Sequence, residues 1–306
     1  MSARELVVLG TASQVPTRHR NHNGYFVRWD QHGFMFDPGE GTQRQMIHYG
    51  VTATSITKIM ISHFHGDHCL GFASLVQRIS LDNVPHTIDA FYPGSGQKFY
   101  DRLRKASIFY DVADVRPCPI DADGASAPFD DLTVTWRALS HNVDCYGFRI
   151  AEADKFRFDK DKLASAGIKG AVVGELARGK TVEIEGKTIR REDYGELRRG
   201  NAMAFVMDTR KCDAAVELAR DVDLLVIEST YLHEAAADAD KNGHLTAREA
   251  AEIARKAGAR KVVLTHFSQR YPDTRPFLAE ANEVHPDVVL ASDGLVVGIP
   301  RPQGLA

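Results

Sequence analysis

The chain of 306 residues has few cysteines, few prolines and no long apolar run. Its four cysteines are far apart and form no CxxC pair, which argues against a zinc ribbon and a disulfide framework and favours reduced thiols in the cytoplasm. With only 12 Pro and 24 Gly it is no low-complexity chain. It also lacks a stretch of about 18 apolar residues, so we expect no membrane span. Met1–Gly10 carries Arg4 and Glu5 before a short apolar run, so we expect no signal peptide.

Net charge is low, since 38 Lys+Arg face 41 Asp+Glu, and no global basic field indicates a nucleic-acid partner. The charge is uneven, however. The segment from about 155 to 199 holds 12 Lys+Arg against 8 Asp+Glu, so the rest of the chain carries a net charge of -7. A solvated surface excursion and a basic arm that binds a polyanion both fit this composition, and charge alone favours the first.

Short apolar runs that stop at polar or glycine-rich turns predict buried strands. These runs are Leu6–Leu9, Lys58–Ile61, Leu132–Trp136, Ala202–Met207, Leu224–Ile227 and Val262–Thr265. Helices are predicted between them, at Leu70–Leu81, Ser95–Ala106, Asp213–Arg220, Thr246–Ala257 and Arg275–Val284. Alternating strands and helices predict a layered α/β fold, and without repeats or a low-complexity linker we expect a single domain over residues 1–306.

The densest motif of the chain follows the second of these strands, where His63, His65, Asp67 and His68 fall within six residues. Imidazole nitrogens and a carboxylate oxygen are donors that suit zinc. Gly66 is expected to allow a sharp turn that directs alternate side chains to two neighbouring positions. The motif therefore predicts a metal site, with room for two ions.

Four residues do not complete two coordination spheres, so further donors are expected at other strand ends. His141, Asp208 and His266 each follow a predicted strand, and sites in α/β sheets gather beyond the carboxyl ends of strands. Taken singly, each is more often a capping or turn residue than a ligand. The incomplete motif makes them ligand candidates, and Asp208 is the natural bridge between two cations.

These motifs resemble the metallo-β-lactamase superfamily. Within it, the runs FDPGEGTQRQ at 36–45, SHFHGDH at 62–68 and THFS at 265–268 resemble the ribonuclease Z family of tRNA 3′-processing endonucleases. The resemblance implies a four-layer αβ/βα metallo-β-lactamase sandwich with a protruding exosite arm. It also implies two Zn²⁺ per subunit, although the same donors accept Mn²⁺ or another divalent ion.

The resemblance further assigns roles to the candidate residues. It implies that His63, His65 and His141 bind one zinc ion, that Asp67, His68 and His266 bind the other, and that Asp208 bridges them. A water or hydroxide between the metals is then expected to attack the phosphodiester, with Asp67 orienting or deprotonating it.

The family's acid pair matches Glu228 and His244, with Glu228 holding the ring of the proton donor His244. Without the resemblance, His244 is simply a loop residue ahead of the helix cap Thr246. The loop Pro16–Asn21 resembles a family segment beside the active site, which makes Arg18, Arg20 and Asn21 candidate substrate-binding residues.

The segment at about 155–199 corresponds to the family's tRNA-binding arm, which also implies a homodimer. The leading hypothesis is a cytoplasmic, zinc-dependent endoribonuclease that cleaves the 3′ trailer from precursor tRNA. It would leave a 3′ hydroxyl on the tRNA and a 5′ phosphate on the trailer. A small-molecule phosphodiesterase or other metallo-hydrolase of the same superfamily remains an alternative, as does an RNA-binding protein that uses metals only for stability.

Overall fold

A computed structural model describes residues 4–126, 128–184 and 186–301. The chain divides into two compact units. The first, which we call the sandwich unit, comprises residues 4–126, 134–150 and 202–300. The second, the arm unit, comprises residues 128–133, 151–184, 186–201 and 301, and it contains the segment for which the sequence predicts an arm.

The strands and helices alternate over much of the chain. The strands are β1 Arg4–Gly10, β2 Ala12–Ser13, β3 Gly24–Trp29, β4 His32–Phe36, β5 Lys58–Met60, β6 Ile88–Pro93, β7 Val115–Ile120, β8 Gly124–Ala125, β9 Leu132–Ala138, β10 Tyr146–Glu152, β11 Lys155–Phe158, β12 Val182–Ile184, β13 Lys187–Ile189, β14 Gly195–Arg198, β15 Ala202–Val206, β16 Leu224–Glu228, β17 Lys261–Thr265, β18 Phe267–Ser268, β19 Val288–Leu290 and β20 Val296–Gly298. The helices are α1 Thr42–His48, α2 Gly66–Cys69, α3 Gly71–Leu81, α4 Gln97–Arg104, α5 Lys160–Ser165, α6 Ala171–Ala177, α7 Asp213–Leu218, α8 Ala236–Asn242, α9 Ala247–Ala257 and α10 Arg275–Asn282. Among the described residues, no helix combines the length and apolar character that crossing a bilayer requires.

Two seven-stranded sheets form the core of the sandwich unit. Their strand orders are β20-β1-β3-β4-β5-β6-β7 and β19-β17-β16-β15-β10-β9-β8. The sheets face each other through aromatic side chains: the rings of Phe36 on β4 and Phe205 on β15 stack with centroids 4.5 Å apart, and Tyr25 meets Phe205 at 5.2 Å. Helix α3 packs on the first sheet, whereas α7, α9 and α10 pack on the second. The predicted four-layer sandwich is therefore confirmed.

Burial explains the apolar runs that the sequence shows. Strand β16 lies between two parallel neighbours in its sheet, and all five of its residues are buried. Helix α9 begins at the predicted cap Thr246, which forms a capping box with Glu249, each side chain accepting from the other residue's backbone N–H, and the helix ends at Gly258 with φ 71°. The helix predicted from Ser95 is shorter, because residues 94–96 form a 3₁₀ turn.

The arm unit has a small core of its own. Strand β11 pairs with β14, and β12 pairs with β13, both antiparallel. Three residues, Leu163 of α5, Ile168 and Leu176 of α6, are buried, and half-buried residues of the neighbouring strands and helices pack against them. A segment without long apolar runs thus still folds, because three buried aliphatic residues are surrounded by half-buried ones contributed by its strands and helices.

Candidate metal centre

One edge of the sandwich unit collects the predicted ligands, because several strands end there. His63 and His65 follow β5, Asp208 follows β15 and His266 follows β17 directly. Asp208 and His266 have φ values of 46° and 61°. Backbone in this left-handed region is uncommon for residues other than glycine and is concentrated at functional sites.

The change of direction at Gly66 has a different origin from the one that we predicted. Gly66 has no positive φ and instead begins α2. His65, just before it, is extended with φ -69° and ψ 149°. The step from extended to helical backbone is what separates the side chains of His63 and His65 from those of Asp67 and His68, so glycine's access to left-handed φ is not used here.

The first ligand cluster consists of His63, His65, His141 and Asp208, whose ligand atoms lie within 4.8 Å of one another. His65 Nδ1 is 3.0 Å from His63 Nε2 and 3.4 Å from His141 Nε2. Asp208 Oδ2 is 3.5 Å from His63 Nε2 and 3.8 Å from His141 Nε2. Three imidazole nitrogens and one carboxylate oxygen thus converge on one point.

The second cluster consists of Asp67, His68 and His266. The Nε2 atoms of His68 and His266 are 3.3 Å apart, and Asp67 Oδ2 lies 3.4 and 3.6 Å from them. Asp208 also reaches this cluster, with Oδ1 3.2 Å from His266 Nε2 and Oδ2 3.3 Å from His68 Nε2. Asp208 is therefore the residue that lies between the two clusters.

Hydrogen bonds on the far side of each ring determine which nitrogen faces the clusters. His141 Nδ1 is 2.9 Å from the carbonyl oxygen of Gly243, which can only accept, so Nδ1 carries the proton. His68 Nδ1 donates in the same way to the Asp37 carboxylate at 2.8 Å. In the neutral form of both rings, Nε2 is the nitrogen without a proton and it is directed to its cluster, which is the tautomer that a metal ligand needs.

The protonation states of the clusters also suit metal binding. Burial lowers the pKa of His63, His65 and His141 below the ordinary histidine value, and neighbouring imidazoles add to the shift. Burial alone would raise the pKa of Asp208, but the surrounding histidines hold it well below its usual range. His68 differs, because three nearby carboxylates outweigh burial and raise its pKa, so metal binding there has to displace the proton from Nε2. Neutral imidazoles around an ionised carboxylate are the donors that divalent metals require.

One atom tests directly whether these residues fit divalent ions. Asp208 Oδ1 is buried and receives no hydrogen bond from any described residue. An ionised oxygen without a partner is strongly destabilising in a protein interior, unless a cation neutralises it. Its position between the two clusters is where a bridging carboxylate would be needed, so the residues fit a centre for divalent metal ions.

Beside the clusters, Glu228 and His244 form a second pair. Glu228 is fully buried at the end of β16, and its Oε1 accepts a hydrogen bond from His244 Nδ1 at 3.0 Å. Burial alone would lower the pKa of His244, but Glu228 and Asp208 raise it to about 9. Burial likewise would raise the pKa of Glu228, whereas His244 holds it below its usual range. The His244 ring is therefore oriented by Glu228.

A cavity of about 950 Å³ opens over the clusters. Asp67, His141, Asp208, His244 and His266 contribute to its lining. Five of the seven predicted ligands, these four and His65, therefore share with the predicted proton donor one common space, which is large enough for a nucleotide-sized group, whereas His63 and His68 lie behind it.

Comparisons with known proteins agree with this geometry. Residues 4–91 match the family described as Anti-Pycsar protein Apyc1, and residues 194–267 match the family described as Beta-lactamase superfamily domain. The chain is 52% identical over 295 residues to a ribonuclease Z of Nocardia farcinica, covering 96% of this chain and 97% of that protein. It is 50% identical over 301 residues to a ribonuclease Z of Salinispora arenicola, covering 98% and 97%. This chain belongs to the ribonuclease Z family.

A solved structure of the ribonuclease Z family supports the same conclusion. The crystal structure of the short form of human tRNase Z (ELAC1) is 25% identical to this chain, with a TM-score of 0.71. The match covers 97% of this chain and 99% of the human one. The resemblance drawn from the motifs and the expectation of a ribonuclease are thus confirmed.

The loop that the ribonuclease Z resemblance assigned to substrate binding has two kinds of residue. Arg20 is half-buried, and its guanidinium donates to the carbonyl oxygens of Ser268 at 3.1 Å and Tyr271 at 2.9 Å. The Asn21 side chain donates to the Glu40 carbonyl oxygen at 2.9 Å. These contacts hold the loop and its neighbours together. Arg18 is exposed, and all three residues line a second cavity of about 550 Å³.

Several residues of the centre were not predicted from the sequence. Thr230 Oγ1 lies 2.7 Å from His266 Nδ1 and donates to Glu228 Oε2 at 2.6 Å, so it links a predicted ligand to the predicted acid pair. Asp37 belongs to the FDPGEGTQRQ run, but nothing in that run shows that its carboxylate contacts His68. Arg270 lines the cavity, with its guanidinium 4.8 Å from the Tyr231 ring centroid. Of these three residues, only Thr230 has a signal in the sequence, because it lies two residues after the predicted Glu228.

Proposed function

We propose that the chain is a zinc-dependent endoribonuclease that cleaves the 3′ trailer from precursor tRNA. The tRNA would keep a 3′ hydroxyl and the trailer a 5′ phosphate. The observation that carries this proposal is Asp208, a buried carboxylate between two ligand clusters with one oxygen unsatisfied, in a chain of the ribonuclease Z family. The related proteins that bear this family name, and the human tRNase Z, support tRNA as the substrate.

Two ions would be held as the motifs predict, one by His63, His65 and His141 and the other by Asp67, His68 and His266, with Asp208 shared. Divalent ions at these positions would act as Lewis acids on a phosphate oxygen and lower the pKa of water; Zn²⁺ suits the donors best, and Mn²⁺ is the runner-up. Asp67 would orient the attacking water, because its carboxylate lines the cavity that the substrate enters.

His244 would protonate the leaving oxygen. Its Nδ1–H is used by Glu228, so a proton on Nε2 is available for the 3′ oxygen as the phosphorus–oxygen bond breaks. The negative charge of Glu228 stabilises the protonated ring, which explains why the pKa of His244 stands near 9. The tRNA is thereby released with its 3′ hydroxyl.

We further propose that the chain is one metallo-β-lactamase-fold domain over residues 1–306 with an inserted tRNA-binding arm at about 155–199. Support comes from the separate core of the arm unit and from the excess of 4 positive charges over residues 155–199. Strands β11 and β14 place Lys155 opposite Arg198, with side chains 67% and 47% exposed. Exposed cations of this kind bind phosphates through counterion release.

A homodimer in the cytoplasm completes the proposal. We place the contact at Ile108 and Tyr110, neighbouring apolar side chains of the loop after α4 that are 103% and 87% exposed, because contiguous exposed apolar surface marks protein contacts. All four cysteines are free, which suits a reducing compartment. Light scattering should give the dimer mass for the wild-type chain and the monomer mass when both Ile108 and Tyr110 are replaced by Ser. Leu81 is another exposed apolar residue, and Leu81→Ser should remain a dimer. A monomeric wild-type chain would refute this part.

The direct test of activity uses the purified chain and a 3′-extended precursor tRNA labelled at its 5′ end. We expect one cut at the junction with the trailer in the presence of Zn²⁺ and none after chelation. The product should carry a 3′ hydroxyl that poly(A) polymerase extends. Uncut precursor together with hydrolysis of a small phosphodiester would favour the alternative metallo-hydrolase. Binding of the precursor without any cleavage would favour a non-catalytic RNA-binding protein.

A further inference from the structure

His22 lies beside the metal centre but belongs to none of its ligand clusters. Its imidazole lines the cavity over the clusters. Its backbone is held tightly, because a Cβ atom on Gly10 would lie 1.8 Å from the His22 carbonyl oxygen and one on Gly39 would lie 2.8 Å from the His22 Cβ. The close packing around the backbone and Cβ of His22 thus fixes the point from which its ring extends.

The ring of His22 makes one directed contact. Nε2 is 3.1 Å from the carbonyl oxygen of Gln14. A carbonyl oxygen only accepts, so Nε2 carries the proton and donates it. The other nitrogen, Nδ1, is buried and has no hydrogen-bond partner among the described residues. The contact with Gln14 is therefore the polar interaction that this histidine is placed to make.

Gln14 needs such a contact, because its backbone is strained. Its φ is 57°, in the region that glycine tolerates and other residues rarely adopt. The chain turns tightly around it, with the Val15 N–H donating to the Ser13 carbonyl oxygen at 2.6 Å. Residues in this region persist only where the surroundings hold them in place.

The backbone of this turn at Gln14 also contacts Asp67. The Gln14 N–H donates to Asp67 Oδ2 at 2.7 Å. This is the same oxygen that lies 3.4 Å from His68 Nε2 and 3.6 Å from His266 Nε2. Two hydrogen bonds, one on each side of a single strained residue, therefore connect the His22 ring to the carboxylate of the second cluster.

We infer that His22 is a positioning residue for the metal centre: by donating to the Gln14 carbonyl oxygen it stabilises the left-handed turn whose N–H orients Asp67. The inference rests on the proposed role of Asp67 as a ligand. Partners of this kind, one bond removed from a ligand, typically change metal affinity or activity by about 10- to 100-fold when they are lost.

The test compares His22→Phe, which keeps an aromatic ring without a donor, with His22→Gln, whose amide can still donate. His86→Phe is the matched control, because His86 Nε2 also contacts a backbone carbonyl oxygen, that of Ile56 at 2.8 Å. The full-length chain is titrated with Zn²⁺ in competition with a chromophoric chelator, and kcat and KM are measured on precursor tRNA. We expect His22→Phe to lose about 10- to 100-fold in Zn²⁺ affinity and in kcat with little change in KM. His22→Gln and His86→Phe should stay close to wild type.

A second variant separates positioning from simple packing. Glycine adopts positive φ without strain, so Gln14→Gly in the His22→Phe background should restore most of the Zn²⁺ affinity and kcat. Should His22→Phe fail to fold, His22→Asn, which is polar but too short to reach Gln14, replaces it with the same expectations. The inference is overturned if His22→Phe or His22→Asn binds Zn²⁺ like wild type, or if neither His22→Gln nor Gln14→Gly preserves affinity.

Zn²⁺ affinity does not depend on the substrate, which keeps the two proposals distinguishable. If the wild-type chain leaves precursor tRNA uncut while Zn²⁺ affinity follows the expected pattern, the proposed function fails and the role of His22 stands. If the chain cuts precursor tRNA and the His22 variants match wild type in both measurements, the proposed function stands and the role of His22 fails.

Discussion

The metal-centre edge of the sandwich unit and the arm unit use charge in opposite ways. At the edge, charged and polar groups such as Asp208 and His68 are almost completely buried, and each lies 2.8 to 3.8 Å from several charged or polar groups. In the arm unit, Lys155 and Arg198 lie at the surface, where they pair with Asp131 and Glu196, and the core cluster seen among its described residues has three buried aliphatic side chains. The metal-centre edge keeps its charges in fixed, buried contacts, whereas the arm unit has its charges at the solvent-exposed surface.

The physical environment of each region explains this difference. Charges interact strongly where water is excluded, so a buried cluster can polarise a phosphate and fix proton positions. Exposed charges are screened within about 10 Å at moderate salt, so they suit the recognition of a long polyanion through many weak contacts. Changes at the edge should therefore affect every substrate, whereas changes in the arm should affect only long RNA.

The largest effect should come from Asp208→Ala, which removes the residue shared by both clusters. We expect activity towards precursor tRNA and a small phosphodiester to fall together by about 10⁴-fold, since metal catalysis supplies several kcal/mol. Bound metal, measured by atomic emission, should fall too. Asp213→Ala is the control, because Asp213 is 89% exposed and pairs only with Lys256 at the surface. A variant that retains both metal and activity would contradict the bridging role.

His244→Ala should separate proton transfer from metal binding at the same edge. Loss of a general acid typically lowers kcat by about 10²- to 10³-fold, and we expect this loss for precursor tRNA while the metal content stays at the wild-type level. His32→Ala, on β4, should leave kcat unchanged. Glu228→Gln should give a smaller loss than His244→Ala, because the ring remains but its orienting charge is gone. Loss of metal from His244→Ala would instead make His244 a ligand.

Removal of the arm should lower activity towards precursor tRNA but not towards a small phosphodiester. Lys155 and Arg198 are paired across β11 and β14, so a short Gly-Ser linker can replace residues 155–199. We expect kcat/KM for precursor tRNA to fall on the order of 100-fold, because phosphate contacts are lost, while hydrolysis of bis(p-nitrophenyl) phosphate stays near wild type. Salt should weaken tRNA binding by the wild-type chain more steeply than binding by the deleted form. Equal loss of both activities would argue against an arm that binds substrate.

The smallest effects should come from two matched helix caps, one in each region. Thr246 caps α9 beside His244, and Asp159 caps α5 in the arm by accepting from Asp161 N at 3.0 Å and Lys162 N at 3.1 Å. Each substitution by Ala should destabilise its helix by about 1 kcal/mol. Hydrogen exchange should show faster opening of α9 alone for Thr246→Ala and of α5 alone for Asp159→Ala. Faster exchange in both helices for either variant would show that the two regions are coupled.

Much of the site can be read from residues that are close together in the chain. His63 to His68 form a dense motif, and the strands before Asp208 and His266 are recognisable from their apolar runs. Asp208 and His266 come together because β15 and β17 are parallel strands of one sheet, whereas the motif follows β5 of the other sheet and meets them only through the packing of the two sheets. The direction of the Arg20 side chain could not be predicted in the same way. An arginine in a basic loop predicts a phosphate contact, and this stays a prediction. The structure adds that its guanidinium donates to two backbone carbonyl oxygens about 250 residues further along.

The sequence by itself determined the family and the α/β layers, because these depend on local patterns of apolar and donor residues. The seven ligands stay predictions that the same patterns give. Only the tertiary structure decided how the ligands are held. His68 depends on Asp37, His266 on Thr230, and Asp67 on the strained turn at Gln14. The physical reason is that tautomers and carboxylate orientations are set by hydrogen bonds to groups that are distant in sequence, and only folding brings those groups within 3 Å.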